Sequence, residues 1–386
     1  MRLYVALLSI KAVYCSVFYS YESLHFLYIF NGTKEICKIQ KILIELPNLT
    51  QGQLDSFEWV KREGIAEIFT EFSPIADYSG KKFELSFSDV VLGEPQYNEY
   101  YAKENKLNYE AQLKAKVTLE NKALGTKKEQ EVFIADFPVM TNHGTFIVSG
   151  VERVIVPQLI RSFGVLFYST DIKGKEHFGA KIIPARGAWI EIESDQNDVL
   201  WVRIDRKRKF PVTALLRVLG AARTDANIKE LFGSDKRVIE YIANTLEKDP
   251  AKTHDDAFIE IHKKLRDGEL ANVDNAKEFI GSIFNADRYD LSEVGRFRFN
   301  QRFDKSLDAS AIDQRVVSLD DMVTIVKHIV HLNETPGSQP DDIDDLASRR
   351  VRYVGEMLQQ KMRVGLARMK RNIQDRMSII DIDTTL

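Results

Sequence analysis

The spacing of hydrophobic residues changes along the chain and predicts both helices and strands. Between residues 53 and 69, apolar side chains recur every three or four positions, which is typical of an amphipathic helix. Residues 81–95 and 109–123 instead alternate apolar and polar side chains and are separated by polar turns. They indicate strands with one exposed face, and residues 129–141 continue this β-rich region.

Two further pairs of strands are indicated by their turn residues. The stretch 145–157 contains two β-branched runs separated by a Ser-Gly dipeptide, which is typical of a hairpin or a bulge. Residues 188–194 and 199–208 are separated by the polar segment 195–198, which again indicates a hairpin.

Helical spacing dominates the second half of the chain. Residues 212–290 contain several stretches with apolar residues every three or four positions. A later helix begins after Ser318, because Ser318 and Asp321 form a Ser–x–x–Asp cap. A surface loop is predicted at 335–345. The chain is therefore expected to be an α+β protein, with a helical insertion inside a β-rich frame.

Residues 346–377 predict one long amphipathic helix that also concentrates positive charge. Its predicted buried stripe consists of Val351, Val354, Leu358, Met362, Gly365, Met369 and Ile373. The basic residues that would share one face of this helix are Arg349, Arg352, Arg363 and Lys370. Such a face suits a track for a polyanion, and a solvated surface face is the alternative.

The composition indicates a folded protein without an overall positive field. Of 386 residues, 44% are hydrophobic and 29% are charged, which argues against a low-complexity or disordered chain. The net charge of -3 means that any surface for nucleic acid must be local. Cys15 and Cys37 are too few for a disulfide scaffold or a four-cysteine zinc site, and no two histidines form a HExxH or HxxxH motif.

The first 31 residues differ from the rest of the chain in being crowded with aromatic and aliphatic side chains. Arg2 and the apolar residues after it resemble a targeting segment. Lys11, Glu22 and His25 interrupt the run, so that it contains no 18-residue uncharged span for a membrane. A poorly constrained extension, translated from upstream of the true start, is the favoured interpretation. A strand or helix packed on its own domain is a third.

A second basic run lies beside two tryptophans. Residues 203–209 (RIDRKRK) end a predicted strand, close in sequence to Trp189 and Trp201. Aromatic and basic side chains together can stack an unpaired base and hold its phosphates. Alternatively, both tryptophans belong to the core of a sheet.

An acidic loop offers carboxylates but no complete metal site. Its acidic residues are Asp341, Asp342, Asp344 and Asp345. No Gly–x–Glu sequence completes an EF-hand, so the pattern favours a solvated loop without a metal ion. Phosphate-binding glycine loops and nucleophile elbows are also missing from the sequence, which predicts no catalytic residue.

Five long stretches are too specific to be explained by composition. They are residues 137–165 (beginning FPVMTNHGTF), 181–193 (KIIPARGAWIEIE), 202–211 (VRIDRKRKFP), 294–302 (VGRFRFNQR) and 341–371 (beginning DDIDDLASRR). In this order they resemble the beta subunit of bacterial DNA-directed RNA polymerase. The resemblance covers residues 45–386 and implies the N-terminal part of a longer subunit.

The resemblance implies two domains, which that family calls the protrusion and the lobe. The β-rich protrusion would comprise residues 45–150 and be closed by a returning helix at 347–386. The mixed α/β lobe would be inserted at 151–346 and include the helical insertion at 212–290. Residues 1–44 have no counterpart and would be an atypical extension.

The resemblance also implies binding roles. Positions that the family uses to hold the non-template DNA strand are matched by Arg161, Trp189, Ile343, Asp344 and Arg349. Trp189 would stack on an unpaired base, and the pocket around Asp344 and Arg349 would receive a flipped guanine. Arg352 would belong to a cleft-lining helix that contacts DNA. Val156 would lie at the edge of the rifamycin pocket, near nascent RNA.

A chain with this resemblance would act only inside a multisubunit enzyme. The implied partners are the beta-prime subunit, the alpha dimer, omega, a sigma factor, promoter DNA and nascent RNA, in the cytoplasm and without a membrane. The catalytic Mg²⁺ would be held by the beta-prime subunit, so that this chain would carry no cofactor of its own. The alternative is a stand-alone nucleic-acid-binding protein without enzymatic activity.

Overall fold

The computed structural model describes residues 28–30, 33–35, 48–122, 124–220, 224–233, 235–267, 272–286 and 288–379. The chain divides into a first unit, Met1–Leu49, and a second, Thr50–Leu386. In the first unit, strands β1 (Tyr28–Phe30) and β2 (Thr33–Glu35) pair antiparallel. Most of the predicted extension at 1–44, including Cys15 and Cys37, lies outside the described residues.

The second unit contains helices and strands throughout. Its strands are β3 (Ile75–Ala76), β4 (Phe83–Pro95), β5 (Glu110–Asn121), β6 (Thr126–Pro138), β7 (Phe146–Val148), β8 (Val151–Arg153), β9 (Gln158–Arg161), β10 (Gly164–Ile172), β11 (Lys175–Ile183), β12 (Ile190–Ser194), β13 (Leu200–Ile204), β14 (Phe210–Pro211) and β15 (Arg349–Arg352). Its α-helices are Gln51–Trp59, Ile65–Phe72, Glu99–Glu104, Val212–Leu219, Asp225–Leu231, Lys236–Lys248, His254–Leu265, Val273–Ile283, Ser292–Arg302, Ala309–Ile312, Leu319–Glu334 and Val354–Ile379. A π-helical segment, Val60–Gly64, joins the first two helices, and a 3-10 turn, Leu346–Ser348, precedes β15.

Two sheets organise two separate hydrophobic cores. The antiparallel sheet β3–β4–β5–β6 packs on the helices near residues 51–72 and on helix Val354–Ile379, burying Phe57, Leu113 and Val354. The antiparallel sheet β10–β11–β12–β13–β14 packs on the helices between residues 212 and 334. The predicted α+β class is confirmed, whereas the predicted protrusion and lobe boundaries stay a prediction.

The predicted turns are confirmed by backbone geometry. Ser149 and Gly150, between β7 and β8, both have positive φ, 53° and 78°, as a two-residue hairpin turn requires. Strands β12 and β13 pair across residues 195–198, and Asp198 has a φ of 55°. Asparagine and aspartate tolerate this left-handed region better than most residues, which explains why an Asp-rich segment forms the turn.

The long C-terminal helix begins at Val354, so the prediction of a helix from residue 346 is wrong at its start. Residues Arg349–Arg352 form strand β15 instead, because they pair antiparallel with β9. Tertiary pairing of this kind overrides helical propensity. Consequently Val351 is exposed, and the four basic residues do not share one helical face. Gly365 lies within the helix but is exposed as well, so it does not belong to a buried stripe.

Asp77 organises the turn between β3 and β4, and its carboxylate is buried by the turn that it holds. It accepts hydrogen bonds from the amides of Ser79 (3.0 Å), Lys82 (3.1 Å) and Phe83 (3.3 Å), and from the Ser79 hydroxyl. The Ser79 hydroxyl and these amides outweigh the effect of burial and lower the pKa of Asp77 to about 2.

Replacing Asp77 with alanine should lower the stability of this sheet by about 1–3 kcal/mol at pH 7, since several donors lose a charged acceptor. Because folding lowers the pKa, the stabilisation is present above pH 4 and is lost as the pH falls towards 2. Native-state hydrogen exchange of β4 amides measures the effect. Lys81→Ala, on an exposed side chain of the same turn, is the control. A difference between wild type and Asp77→Ala that is constant from pH 7 to 3 would contradict the assignment.

Candidate nucleic-acid interface

Strands β9 and β15 bring together residues far apart in sequence. Arg349 lies directly opposite Arg161, and Arg352 lies opposite Gln158. Directly opposed residues of an antiparallel pair project from the same face, so two guanidinium groups are neighbours at Arg161 and Arg349. Like charges at such positions are destabilising unless an anion lies between or beside them.

Among the described residues, only one of these two arginines, Arg349, has an acidic side chain as a partner. The guanidinium of Arg349 donates from Nε to the carbonyl oxygen of Ile343 (3.2 Å) and forms an ion pair with Asp344. Among the described residues, Arg161 has neither an ion-pair nor a hydrogen-bond partner for its side chain. The site therefore combines a half-buried cation without an acid, Arg161, with an exposed carboxylate, Asp344, whose side chain is 82% exposed.

The other aspartates of the acidic loop have structural roles. Asp341 forms two bonds with Arg302 (2.7 and 2.8 Å) and accepts the Phe167 amide, which ties the loop to β10. Asp342 accepts the amide of Asp344 (2.8 Å), and Asp345 caps the turn at Leu346–Ser348. Only Asp344 of the four thus presents its carboxylate beside an interface arginine.

Trp189 lies immediately before β12 and is fixed to the end of β13 by Asp205. The amide of Trp189 donates to Oδ1 of Asp205 (2.9 Å), and the amide of Asp205 donates to the carbonyl oxygen of Trp189 (2.9 Å). Asp205 and Arg206 both have positive φ, 50° and 60°. This turn directs the Arg206 guanidinium to 5.9 Å from the centre of the Trp189 ring, within cation–π range. The indole is half-buried.

The loop before Trp189 is anchored by residues 288–290. The amides of Ala185 and Arg186 donate to the carbonyl oxygen of Asp290 (2.8 and 3.0 Å). Gly187 has a φ of 112°, and a Cβ there would lie 2.8 Å from the Tyr289 ring. The backbone approach that positions Trp189 therefore requires glycine.

The two groups do not touch each other. Residues close to them in the chain, namely Ala185, Arg186, Arg350 and Val351, line a cleft of about 840 Å³. Within the described part of the chain, no hydrogen bond, ion pair or ring contact joins Trp189 to Arg161, Asp344 or Arg349.

The remaining predicted residues occupy different places. Arg352 projects from the opposite face of β15 to Arg349, and it donates to Gln158 and to Gln360 (3.2 Å). Val156 lies between β8 and β9 with 70% of its surface exposed. The binding roles of both stay predictions.

Two arginines of the C-terminal helix and its preceding strand form ion pairs with glutamates. Arg363 forms an ion pair with Glu71 (2.9 Å), and Arg350 pairs with Glu356. The charges of these two arginines are therefore compensated within the chain. Asp205 and Arg206 lie within the predicted basic run 203–209, but neither was predicted individually as a site residue. The register of the predicted hairpin indicates Asp205, because Trp189 directly precedes Ile190 and Asp205 directly follows Ile204, its paired residue. Arg206 is the next residue along the chain.

The described residues contain neither a metal-binding cluster nor a membrane-spanning helix. No group of three or more His, Cys, Asp or Glu side chains there could hold a metal ion. Nor is any described helix both long and apolar enough to cross a membrane.

Comparison with known proteins gives two consistent matches. A family model described as RNA polymerase Rpb2, domain 2, matches residues 167–352, which include Trp189, Asp344 and Arg349. Over 371 residues, the chain is 43% identical to the DNA-directed RNA polymerase subunit beta of Chloroflexus aggregans. That match covers 88% of this chain and 30% of the relative, so the chain spans about a third of the relative's length.

Proposed function

Because the chain belongs to the beta-subunit family of bacterial DNA-directed RNA polymerase, we propose that it forms part of the DNA cleft of such an enzyme. Its role is to hold the non-template strand while the DNA is open. The phosphodiester chemistry is supplied elsewhere, by Mg²⁺ held on the beta-prime subunit. The chain contributes positioning and charge, and no catalytic residue.

The pair of opposed arginines at Arg161 and Arg349 carries this proposal. A cation without an acidic partner, next to another cation, favours a phosphate or another anion in the space beside it. Asp344 lies beside them and can accept from the N1–H and N2–H₂ edge of an unpaired guanine. The carbonyl group of Ile343 holds the Arg349 guanidinium in place for this contact. A polar edge and a phosphate of one nucleotide can thus be bound together.

Trp189 supplies the apolar part of the interface. Its backbone is fixed on both sides by Asp205, and Arg206 lies over its ring, so its side chain is ordered before DNA binds. A pre-ordered aromatic ring stacks on an unpaired base with little loss of conformational entropy. Arg352 on the opposite strand face and Val156 at the exposed edge complete the proposed set, as a DNA contact and as an edge of the antibiotic pocket.

The wider assembly follows from the same premise. We infer that the chain works with the beta-prime subunit, the alpha dimer, omega and a sigma factor, on promoter DNA and nascent RNA. The protrusion corresponds to the core around β3–β6 and the lobe to the core around β10–β14. A cytoplasmic location follows from chromosomal DNA as the template.

Replacing Trp189 with alanine should weaken the open promoter complex by about 1–3 kcal/mol, the usual contribution of one stacked base. The complex should therefore dissociate roughly 5 to 150 times faster. The measurement is the lifetime of heparin-challenged open complexes formed by the assembled polymerase that carries the variant. Trp189→Phe retains an aromatic ring and should lose much less.

Three outcomes separate the proposal from its rival. Unchanged lifetimes in Trp189→Ala would remove Trp189 from the site. An equal loss with Trp189→Phe would indicate a structural defect instead of lost stacking. Tight, strongly salt-dependent binding of DNA by the chain without other subunits would favour a stand-alone nucleic-acid-binding protein.

A further inference from the structure

A recess of about 100 Å³ lies on the half-exposed face of the sheet β10–β14, away from the helices. Tyr168, Gly179, Glu193 and Trp201 form one row across four strands, since each is paired in register with the next. Directly opposed side chains share a face, so this row crosses the recess. Ile190 and Ile192, on the other face, are fully buried in the core.

At the floor of the recess, the backbone of Gly179 lies against the Tyr168 ring. A Cβ at Gly179 would lie 2.8 Å from the Tyr168 ring and 2.5 Å from the carbonyl oxygen of Ile192. Only glycine therefore lets the Tyr168 ring lie across β11. Trp201 provides the second aromatic group of the row, so that the recess has a ring on either side of its floor.

Two buried nitrogen atoms at the recess lack partners. His177 lines the recess with 4% of its surface exposed, and its Nε2 has no hydrogen-bond partner among the described residues. Trp201 Nε1 is also buried and without a partner there. An indole N–H can only donate, and a buried donor without a partner is destabilising. A ligand that presents a hydrogen-bond acceptor there would satisfy this donor.

The charged groups around the recess are balanced. Glu193 pairs with Arg203 (3.2 Å) and Lys209 (3.7 Å), and in the next row Glu191 pairs with Lys181 (3.4 Å). Asp195 also lines the recess. Such a site does not select a small anion by net charge. It offers acceptors for a ligand N–H at its carboxylates, together with the donors described above.

Strand β12 connects this recess to Trp189. Trp189 immediately precedes β12, and Glu193 lies four residues later on the same strand, about 13 Å away. The alternation along β12 places both on the face opposite Ile190 and Ile192. A strand of nucleic acid that stacks on Trp189 can therefore continue along this face towards Trp201.

We propose that the recess between Tyr168 and Trp201 holds a second unpaired nucleobase of the strand that Trp189 contacts. The base edge presents its acceptor to Trp201 Nε1 and its N–H to the carboxylate of Glu193 or Asp195. Lys209, whose ammonium lies 4.9 Å from the centre of the Trp201 ring, is placed to reach the adjoining phosphate. The inference rests on the proposed function, because it needs a single strand at Trp189.

Abasic sites in the non-template strand test this contact. Open-complex lifetimes are measured for the assembled polymerase on promoters with one abasic position at a time. In wild type, loss of the base that faces the recess should shorten the lifetime about tenfold. Trp201→Ala should show a similar loss on intact DNA and no further loss at that one position, as in a double-mutant cycle.

Trp201→Phe is the second variant, because it keeps one aromatic ring and removes the pyrrole part of the indole together with its N–H. It should retain sensitivity to the same abasic site with about a threefold loss on intact DNA. Wild-type lifetimes for Trp201→Ala on every promoter would overturn the proposal. A loss that is equal on all promoters, abasic ones included, would also overturn it and would indicate a structural or protein-docking role.

A parallel series with Trp189→Ala keeps the two proposals distinguishable. If that variant loses sensitivity at its own abasic position while Trp201→Ala loses none, the proposed function stands and the recess is excluded. If neither variant changes the abasic pattern, both proposals fail. Loss of sensitivity at two different positions is the result that we expect.

Discussion

Replacing Asp321 with alanine should lower the free energy of unfolding by about 3–5 kcal/mol, the usual cost of removing one partner of a buried ion pair. Asp321 Oδ2 lies 2.8 Å from Nη1 of Arg296, and the two side chains are 6% and 3% exposed. The other end of the guanidinium donates to the carbonyl oxygen of Val316 (2.7 Å). Without Asp321, the charge of Arg296 would remain buried and uncompensated.

The same substitution removes one of the two hydrogen bonds of a capping box. Asp321 accepts the amide of Ser318 (2.9 Å), and the Ser318 hydroxyl accepts the amide of Asp321 (3.2 Å), at the start of helix Leu319–Glu334. The Ser318 hydroxyl can still accept the backbone amide at position 321, so only part of the roughly 1 kcal/mol typical of a full cap is lost. The Asp321 side chain thus stabilises the start of a helix and neutralises a buried cation, so the two effects act together in a single variant.

Lowering the pH should reduce the loss of stability that Asp321→Ala causes. Burial alone would raise the pKa of Asp321, but the Ser318 amide and the Arg296 guanidinium outweigh burial and lower it. A lowered pKa means that the carboxylate stabilises the fold above its unfolded-state pKa and that this contribution is lost as the pH falls through the folded-state pKa. The difference between wild type and Asp321→Ala should therefore shrink in acid.

Urea unfolding of the chain, with hydrogen exchange of helix Leu319–Glu334, measures this difference. The matched control is Asp320→Ala. Asp320 and Asp321 both form ion pairs with Lys305 (2.6 and 3.3 Å), but the Asp320 side chain is 79% exposed. Exposed pairs contribute less than about 1 kcal/mol. Equal losses for the two variants would contradict the importance of burial at Asp321.

Local signals in the sequence predict the elements that depend on local interactions. The Ser318–Asp321 cap and the turn at Ser149-Gly150 need only residues close in sequence, and the structure contains both. The hairpin of β12 and β13 belongs to the same class. Its register even places Asp205 opposite Trp189, since these residues adjoin the paired Ile190 and Ile204.

The interface at Arg349 could not be predicted by these local rules. Its strand exists only because β15 pairs with β9, and Arg352 and its partner Gln158 are 194 positions apart. Nothing within residues 349–352 signals that distant pairing, whereas the helical spacing after residue 354 is strong. The resemblance to a known family located Arg161 and Arg349 as candidates, but the opposed arginines and the free guanidinium became visible only in the fold.

Replacing Gly355 with alanine should destabilise the docking of helix Val354–Ile379 by about 3 kcal/mol, near the upper end of ordinary overpacking. A Cβ at this position would lie 2.3 Å from the carbonyl oxygen of Ser56 and 2.6 Å from its hydroxyl. The amide of Gly355 donates to that hydroxyl (3.0 Å), and the amide of Val354 donates to Gln53 (3.2 Å). Helix Gln51–Trp59 therefore supplies the cap of the long helix, and this arrangement requires close backbone approach.

Gly365→Ala is the matched control, because it makes the same chemical change in the same helix where a Cβ would have no neighbour within 4 Å. Alanine at an exposed helical position should stabilise by about 0.5–1 kcal/mol, through its better helix propensity. Hydrogen exchange of the helix amides should therefore show a loss of stability in Gly355→Ala and a gain in Gly365→Ala. Stabilisation by Gly355→Ala would show that the helix can move away from Ser56 at no cost. Strand β15, which ends two residues before Val354, would then not depend on this contact for its position beside β9.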